Sequence, residues 1–326
     1  MQTRPLGNTG ERVSALGFGC MGLVGWYGER NDAEAAATLL AAIDGGVTHL
    51  DTAASYQLGA NEKFVGATLG ARRKEVFLAS KCGLAWKEGK LTVDNSPALI
   101  ASSCEESLQR LRTDHLDLFY LHRIDRTVPI EESVGALAKL VEAGKIRHIG
   151  LSECSPETLR KAFKVHPIAA VQMEYSVWFR GAETSMLPTC RELGVAFVAY
   201  SPLGRGFLAG NFRSLSDLPK DDARRNQPRF VDGNVEHNLA IADAVRGLAQ
   251  RKGATPAQIA LAWLLAQGEE ILPIPGTKRR ERQAENAASM NVKLSAAELR
   301  ELTATVETLS VKGDRYPPAM MNALDG

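Results

Sequence analysis

Cysteine is scarce and scattered in this chain: Cys20, Cys82, Cys104, Cys154 and Cys190 are odd in number and never fall in C-x-x-C spacing. That argues against a disulfide framework and against a zinc site built on paired thiols, and leaves reduced packing residues as their role. Excess charge of either sign is also missing, since 39 Lys and Arg against 38 Asp and Glu leave a net charge of +1. No broad basic field for nucleic acid and no acidic tail follow from that balance, and a small molecule is the expected partner. No stretch reaches the roughly 20 apolar residues of a membrane helix. The opening segment MQTRPLGNTGERV lacks the apolar core of a signal peptide, so a cytoplasmic protein without a membrane partner is expected. Internal repeats of 20–50 residues and low-complexity tracts are absent as well. Oligomeric state is not legible.

What the 326 residues do contain is 44% apolar side chains, ample for a core, in alternating short apolar runs and amphipathic stretches. After a hairpin-like start turning at Asn8-Thr9-Gly10, the runs LGFGC, THLDTA, VFLASK, LDLFYLH, IRHIGLS, AAVQMEY, VAFVAYSP and ILPIPG read as strands. Helical patterns such as DAEAAATLLAAIDGG, SPALIASSCEESLQRLR, PIEESVGALAKLVEAGK and SPETLRKAFK lie between them, the last with Ser155 as N-cap and Pro156 at the first helical position. About eight β/α units predict a single α/β domain over residues 1–326, a (β/α)8 TIM barrel with a short N-terminal β-hairpin and a C-terminal helix and tail. Residues 206–234 form a long polar insertion, expected to be a lid or a disordered segment.

A competing fold is suggested by LGFGCMG, where Gly17, Gly19 and Gly22 stand in G-x-G-x-x-G spacing. The dinucleotide fingerprint requires a helix that opens inside the motif and an acidic residue about 20 positions on. Here GLVGWYGER follows, a helix can begin only near Asn31-Asp32, and Asp51 lies too far along. A doubly wound sheet is therefore disfavoured.

In a (β/α)8 barrel the reactive groups gather where strands end. Asp51 ends the second strand with Tyr56 five residues later, Lys81 ends the third and His122 the fourth. A lysine beside a tyrosine in an apolar setting is expected to lower the phenol pKa from about 10. That tyrosine can protonate a carbonyl oxygen, Asp51 can hold Lys81 as a cation, and His122 can donate to the same oxygen. Singly, each has an ordinary reading as a turn residue, strand-end lysine, packing histidine or loop aromatic.

These residues carry a family likeness. LDTAASY, LASKCG and LDLFYLHR, followed in order by VQMEYS, AYSPLGRGFL and PIPGTKRRERQAEN, resemble the aldo-keto reductases over nearly the whole chain. The resemblance implies a catalytic tetrad of Asp51, Tyr56, Lys81 and His122, with Tyr56 the proton donor, and NADPH as cofactor. It implies that the initial glycines, Gly22 among them, belong to the first barrel strand and the loop beside the nicotinamide. Ser152 and Gln172 match positions that hold the nicotinamide amide, and Tyr200 the aromatic that stacks on its ring. Ser201, Pro202, Leu203, Gly204, Arg205 and Gly206 match the pyrophosphate loop; on physical grounds alone this stretch reads as an exposed turn. Gly276, Thr277 and Lys278 lead into a helix carrying Arg279, Arg280 and Arg282, a basic helix N-terminus suited to a 2′-phosphate; Glu285 and Asn286 correspond to adenine contacts.

Two departures stand out. Glu153 follows Ser152 where the family usually has Asn, which leaves a carboxylate expected to turn to solvent or toward substrate. Gln57 follows Tyr56 in place of a common glycine. The leading expectation is an NADPH-dependent reductase of aldehydes or ketones, reversible as alcohol oxidation. Its rivals are an NADPH-binding regulatory or sensor subunit like the channel β-subunits that share the fold, and a Schiff-base enzyme using Lys81. No metal is expected. Pocket-wall candidates are Trp26, Tyr27, Trp86, Trp178, the 206–234 loop and the tail near Tyr316, whose aromatics suggest room for a cyclic or aromatic carbonyl.

Overall fold

Two short strands, β1 (Thr3–Pro5) and β2 (Arg12–Ser14), pair antiparallel across the Asn8-Thr9-Gly10 turn, where Gly10 takes φ +81°. This hairpin leads a computed structural model that describes residues 1–325 except 88, 89 and 232, with the side chains of residues 85–91 also outside the description. The Arg4 guanidinium ties it to the carbonyls of Leu265, Gly268 and Ile271.

Strand and helix then alternate. In order come β3 (Phe18–Gly19), α1 (Asp32–Asp44), β4 (His49–Asp51), α2 (Ala60–Leu69) and β5 (Phe77–Cys82). A small hairpin of β6 (Leu84–Lys87) and β7 (Lys90–Val93) precedes α3 (Pro97–Leu111), β8 (Leu116–Leu121), α4 (Ile130–Glu142), β9 (Ile146–Ser152) and α5 (Pro156–Val165). The chain continues through β10 (Ile168–Glu174), α6 (Met186–Leu193), β11 (Ala196–Tyr200), α7 (Asn234–Lys252), α8 (Pro256–Leu265) and β12 (Ile271–Pro273). It ends with α9 (Arg280–Ala288), α10 (Ala296–Leu309) and α11 (Pro318–Met321). Local chemistry sets the starts: Asn31 caps α1 by accepting from the Glu34 amide, Ser155 caps α5, and capping boxes open α8 at Thr255/Gln258 and α10 at Ser295/Glu298.

The eight strands β3-β4-β5-β8-β9-β10-β11-β12 lie parallel in that order. The sheet closes on itself because the Gly17 amide donates to the Pro273 carbonyl at 2.9 Å and the Gly19 amide to the Pro275 carbonyl at 3.2 Å. The result is the (β/α)8 barrel. A Cβ on Gly19 would sit 2.8 Å from the Ile274 carbonyl oxygen, and one on Gly276 2.5 Å from that of Gly19. The glycine pattern of LGFGCMG therefore serves a close-packed seam, and only a single 3-10 turn, Met21–Val24, follows it.

Side chains alternate across the barrel wall with the strand period of two. Outward residues such as Leu78, Phe119, Ile149, Val171 and Phe197 pack under the helices, while Phe77, Ala79, Leu118, Tyr120, Ala170, Ala196 and Val198 fill the interior. Tyr120 lies across Gly150, where a Cβ would come within 2.3 Å of its ring. Among the described residues no helix is long and apolar enough to cross a membrane.

Residues 206–234 carry short 3-10 turns at Leu215–Asp217 and Ala223–Asn226. Phe207, Phe212 and Phe230 pack together there, and Phe207 and Phe230 stack on Trp178. Trp178 is thus a core residue at 4% exposure, and its expected place as a pocket wall is corrected: Phe207 and Phe230 stack on it and the Arg229 guanidinium lies over its ring. The Trp86 side chain lies outside the described residues.

Candidate active site

Strand parity brings one polar side chain from each of several strand ends into the barrel mouth. Lys81, the fifth residue of β5, continues the inward row of Phe77 and Ala79; His122 continues Leu118 and Tyr120; Gln172 continues Ala170; Tyr200 continues Ala196 and Val198. Lys81 is wholly buried, and its Nζ donates to Asp51 Oδ1 at 2.5 Å, to the Thr52 carbonyl at 2.8 Å and to the Tyr56 hydroxyl at 3.3 Å. Gln172 Nε2 donates to the other Asp51 oxygen at 2.7 Å. The rings of Tyr56 and His122 meet edge to face with centroids 5.8 Å apart, and His122 Nδ1 lies 3.2 Å from Ser55 Oγ. Asp51, Tyr56, Lys81 and His122 thus converge from β4, β5 and β8 and the loop after β4.

Burial and neighbours set the protonation states. Burial by itself would strip the Lys81 charge, but Asp51 and Tyr56 outweigh it and hold the ammonium above its ordinary pKa. That is the opposite of what a Schiff-base lysine needs. Burial pushes Tyr56 upward and the Lys81 charge only partly opposes it. The expectation of a lowered phenol pKa is therefore corrected, because desolvation of the phenolate exceeds the pull of a cation already paired with Asp51. Tyr56 keeps its proton. His122 is held well below its usual pKa by burial and then by Arg123 and Lys81, so its imidazole is neutral. A neutral phenol, a neutral imidazole and a fixed ammonium around one spot form an acid site for an oxygen that gains negative charge.

The loops above this cluster hold the remaining expected residues. Ser152, at the end of β9, offers Oγ to Arg123 Nη1 at 3.4 Å. After β11 the backbone takes positive φ at Ser201 (+49°), Gly204 (+55°), Arg205 (+59°) and Gly206 (+93°). Trp26, Gln57, Leu58 and Glu153 also have positive φ, and such strain concentrates at functional loops. Pro202 and Gly204 are buried and Ser201, Leu203, Arg205 and Gly206 half-buried, correcting the exposed-turn reading, since the 206–234 loop and the tail pack over them. Gly22 has open space where a Cβ would stand. Past Gly276 and Thr277, Lys278 Nζ donates to the carbonyls of Tyr27 (2.6 Å) and Glu29, Arg280 pairs with Glu34, and Arg282 pairs with Glu285. Asn286 is buried. Arg205 and Arg279 form no ion pair among the described residues.

Glu153 is corrected outright. It is 1% exposed and faces neither solvent nor an open pocket. Its oxygens accept Arg315 Nη1 and Nη2 at 3.0 and 2.9 Å, and Oε1 also accepts the Tyr200 hydroxyl at 2.7 Å and the Glu174 amide at 3.1 Å. Burial would raise its pKa, but Arg315 and Arg123 overcome it and keep the carboxylate ionised below its ordinary range. Tyr200 and Tyr316 share a hydroxyl contact of 2.8 Å. Arg224 lies over the Tyr27 ring, and Trp26 remains exposed. Sequence reading missed Arg315, Arg123 and Ser55. The RY of GDRYPP, two side chains able to reach back over a mouth, was the available signal for the first.

The model of the Aldo/keto reductase family matches residues 15–307. A protein of Glycine max named probable aldo-keto reductase 1 is 44% identical over 319 residues, covering 97% of this chain and 92% of the relative. The Schizosaccharomyces pombe aldo-keto reductase yakc, named with NADP(+), is 45% identical over 323 residues, 97% of this chain and 94% of the relative. Among solved structures, the glycerol dehydrogenase of Gluconobacter oxydans superposes with a TM-score of 0.85 at 31% identity, covering 94% of this chain and 95% of that one. An aldo/keto reductase of Klebsiella pneumoniae in complex with NADP and acetate gives 0.76 at 27% identity, covering 97% and 99%.

Proposed function

The chain belongs to the aldo/keto reductase family, and from that membership we propose that it is an NADPH-dependent reductase in which Tyr56 protonates the oxygen of an aldehyde or ketone. The observation that carries this reading is the buried Asp51–Lys81–Tyr56 chain of hydrogen bonds beside a neutral His122. NADP in the yakc name and in the Klebsiella complex supports the cofactor, as do two cations, Arg205 and Arg279, that form no ion pair among the described residues. We assign the pyrophosphate to Ser201, Pro202, Leu203, Gly204, Arg205 and Gly206, the 2′-phosphate to Lys278 and Arg279 with Gly276, Thr277 and Arg282 beside them, and the adenine to Glu285 and Asn286. Gly22, Ser152, Gln172 and Tyr200 take the nicotinamide. Bound there, NADPH supplies a hydride for the carbonyl carbon.

The residues do the rest. His122 and Tyr56 hold the carbonyl oxygen; Tyr56 gives up its proton as charge develops; Lys81 stabilises the phenolate left behind; Asp51, steadied by Gln172, keeps Lys81 in place. In reverse the same groups take a proton from an alcohol. One domain carries this activity, its loops and tail closing round a single mouth.

The test is NADPH consumption against a panel of aldehydes, cyclic ketones and quinones, with NADH in parallel. Tyr56→Phe should lose roughly 10²–10⁴ in kcat while still binding NADPH. Wild type and variant equally inert, with cofactor tightly retained, would replace the reductase by the sensor subunit.

A further inference from the structure

Among the described residues Arg123 forms no ion pair. It follows His122 at the end of β8 and is 6% exposed. Its Nη1 donates to the His122 carbonyl at 2.7 Å and to Ser152 Oγ at 3.4 Å, while Nε and Nη2 donate to nothing among the described residues. The carboxylate whose field reaches it, Glu153, has both oxygens taken by Arg315. Nε and Nη2 are nevertheless not among the sealed, unsatisfied atoms of the interior, so they open on the mouth. There the guanidinium acts on Tyr56 and His122, the two groups assigned to the carbonyl oxygen.

A guanidinium cannot shed its proton, and although the field of Glu153 and of the nearby tyrosines holds its charge against burial, its Nε and Nη2 have no hydrogen-bond acceptor among the described residues. Its free edge is a planar fork that matches a carboxylate. We propose that Arg123 is the oxyanion-binding residue of the substrate pocket, so that the preferred substrate is a carbonyl compound bearing a carboxylate. The inference rests on the reductase reading and adds the substrate class to it. An amide or hydroxyl partner would match only part of that edge; a carboxylate accepts from both N–H groups and fixes the carbonyl against Tyr56 by a second anchor.

The experiment compares 4-formylbenzoate with its methyl ester, which share a ring and a reacting aldehyde and differ in charge. The wild type should favour the acid by about 10- to 100-fold in kcat/KM, expressed in KM, the scale of a hydrogen bond to a charged group. Arg123→Met should bring that ratio close to one, and Arg123→Lys, a point charge without the fork, should keep part of it. NADPH affinity is measured alongside. Equal efficiency on acid and ester in the wild type, a ratio that survives Arg123→Met, or a loss of NADPH affinity that accounts for the whole change overturns the assignment. Turnover of the ester by the wild type keeps the reductase reading in force whichever way the ratio falls; a wild type inert on both compounds overturns the carboxylate assignment, and the wider carbonyl panel decides the reductase reading separately.

Discussion

At the scale of single residues, the pair to break is Asp51 and Lys81, because each is the reason the other can be charged in the interior. Asp51→Asn leaves Lys81 as an uncompensated ammonium, and Lys81→Met leaves Asp51 with Gln172 alone. Each single change should cost about 3–5 kcal/mol of stability, whereas the double variant should recover much of it. Urea unfolding of the three variants checks this, and a double variant less stable than either single one would refute the idea that the pair is held by mutual charge. Activity should follow a different course, lost in all three, because Tyr56 no longer has a cation beside it. Asp51, Tyr56, Lys81 and His122 were legible in the sequence because each stands at or just past a strand end. The protonation of Tyr56 was not, since it depends on how much water the finished mouth excludes. Glu153 was misread for the same reason: its partner, Arg315, is 162 residues away in sequence.

At the scale of elements, the glycines of the first strand separate into structural and open positions. Gly19 belongs to the barrel seam, where a Cβ would press on the Ile274 carbonyl at 2.8 Å; at Gly22 nothing lies within 4 Å of a Cβ. Gly19→Ala should therefore destabilise the protein by about 1–3 kcal/mol, and Gly22→Ala should stay within about 0.5 kcal/mol of wild type. Thermal unfolding distinguishes them, and an equal Tm for the two variants would remove the seam explanation. Strands and most helices were readable here because period-2 and period-3.6 patterns are local, as were the helix starts at Asn31 and Ser155. The β6–β7 hairpin in the loop after β5 went unread. That LGFGCMG closes a barrel, with no helix receiving a phosphate inside it, was half legible: the missing helix could be seen, but the carbonyls of Pro273 and Pro275 on the far strand could not.

At the scale of the whole molecule, the last residues fasten the mouth. Arg315 grips Glu153 at the end of β9; Asp325 accepts from the Ser155 amide at 2.9 Å and the Thr158 hydroxyl at 2.6 Å; Arg126 donates to the Leu324 carbonyl at 2.5 Å. Gly313 lies against the 206–234 loop, so close that a Cβ would meet the Pro228 carbonyl oxygen at 2.4 Å. Arg315→Met leaves Glu153 buried without its cation and should cost about 3–5 kcal/mol, with faster proteolytic cutting in residues 310–325. Adding Glu153→Gln should return part of the loss. A tail no more sensitive to protease in Arg315→Met than in wild type would show that the ion pair does not hold it. The sequence by itself determined the β/α alternation, the strand ends at which Asp51, Lys81 and His122 stand and the family likeness, because these depend on residues near one another in the chain. Only the tertiary structure decided how the first and last strands meet, which charges find a partner and which, like Arg123 among the described residues, form no ion pair. Those outcomes depend on burial and on partners a hundred or more residues apart, which come within hydrogen-bonding distance only when the barrel has closed and its tail has folded over it.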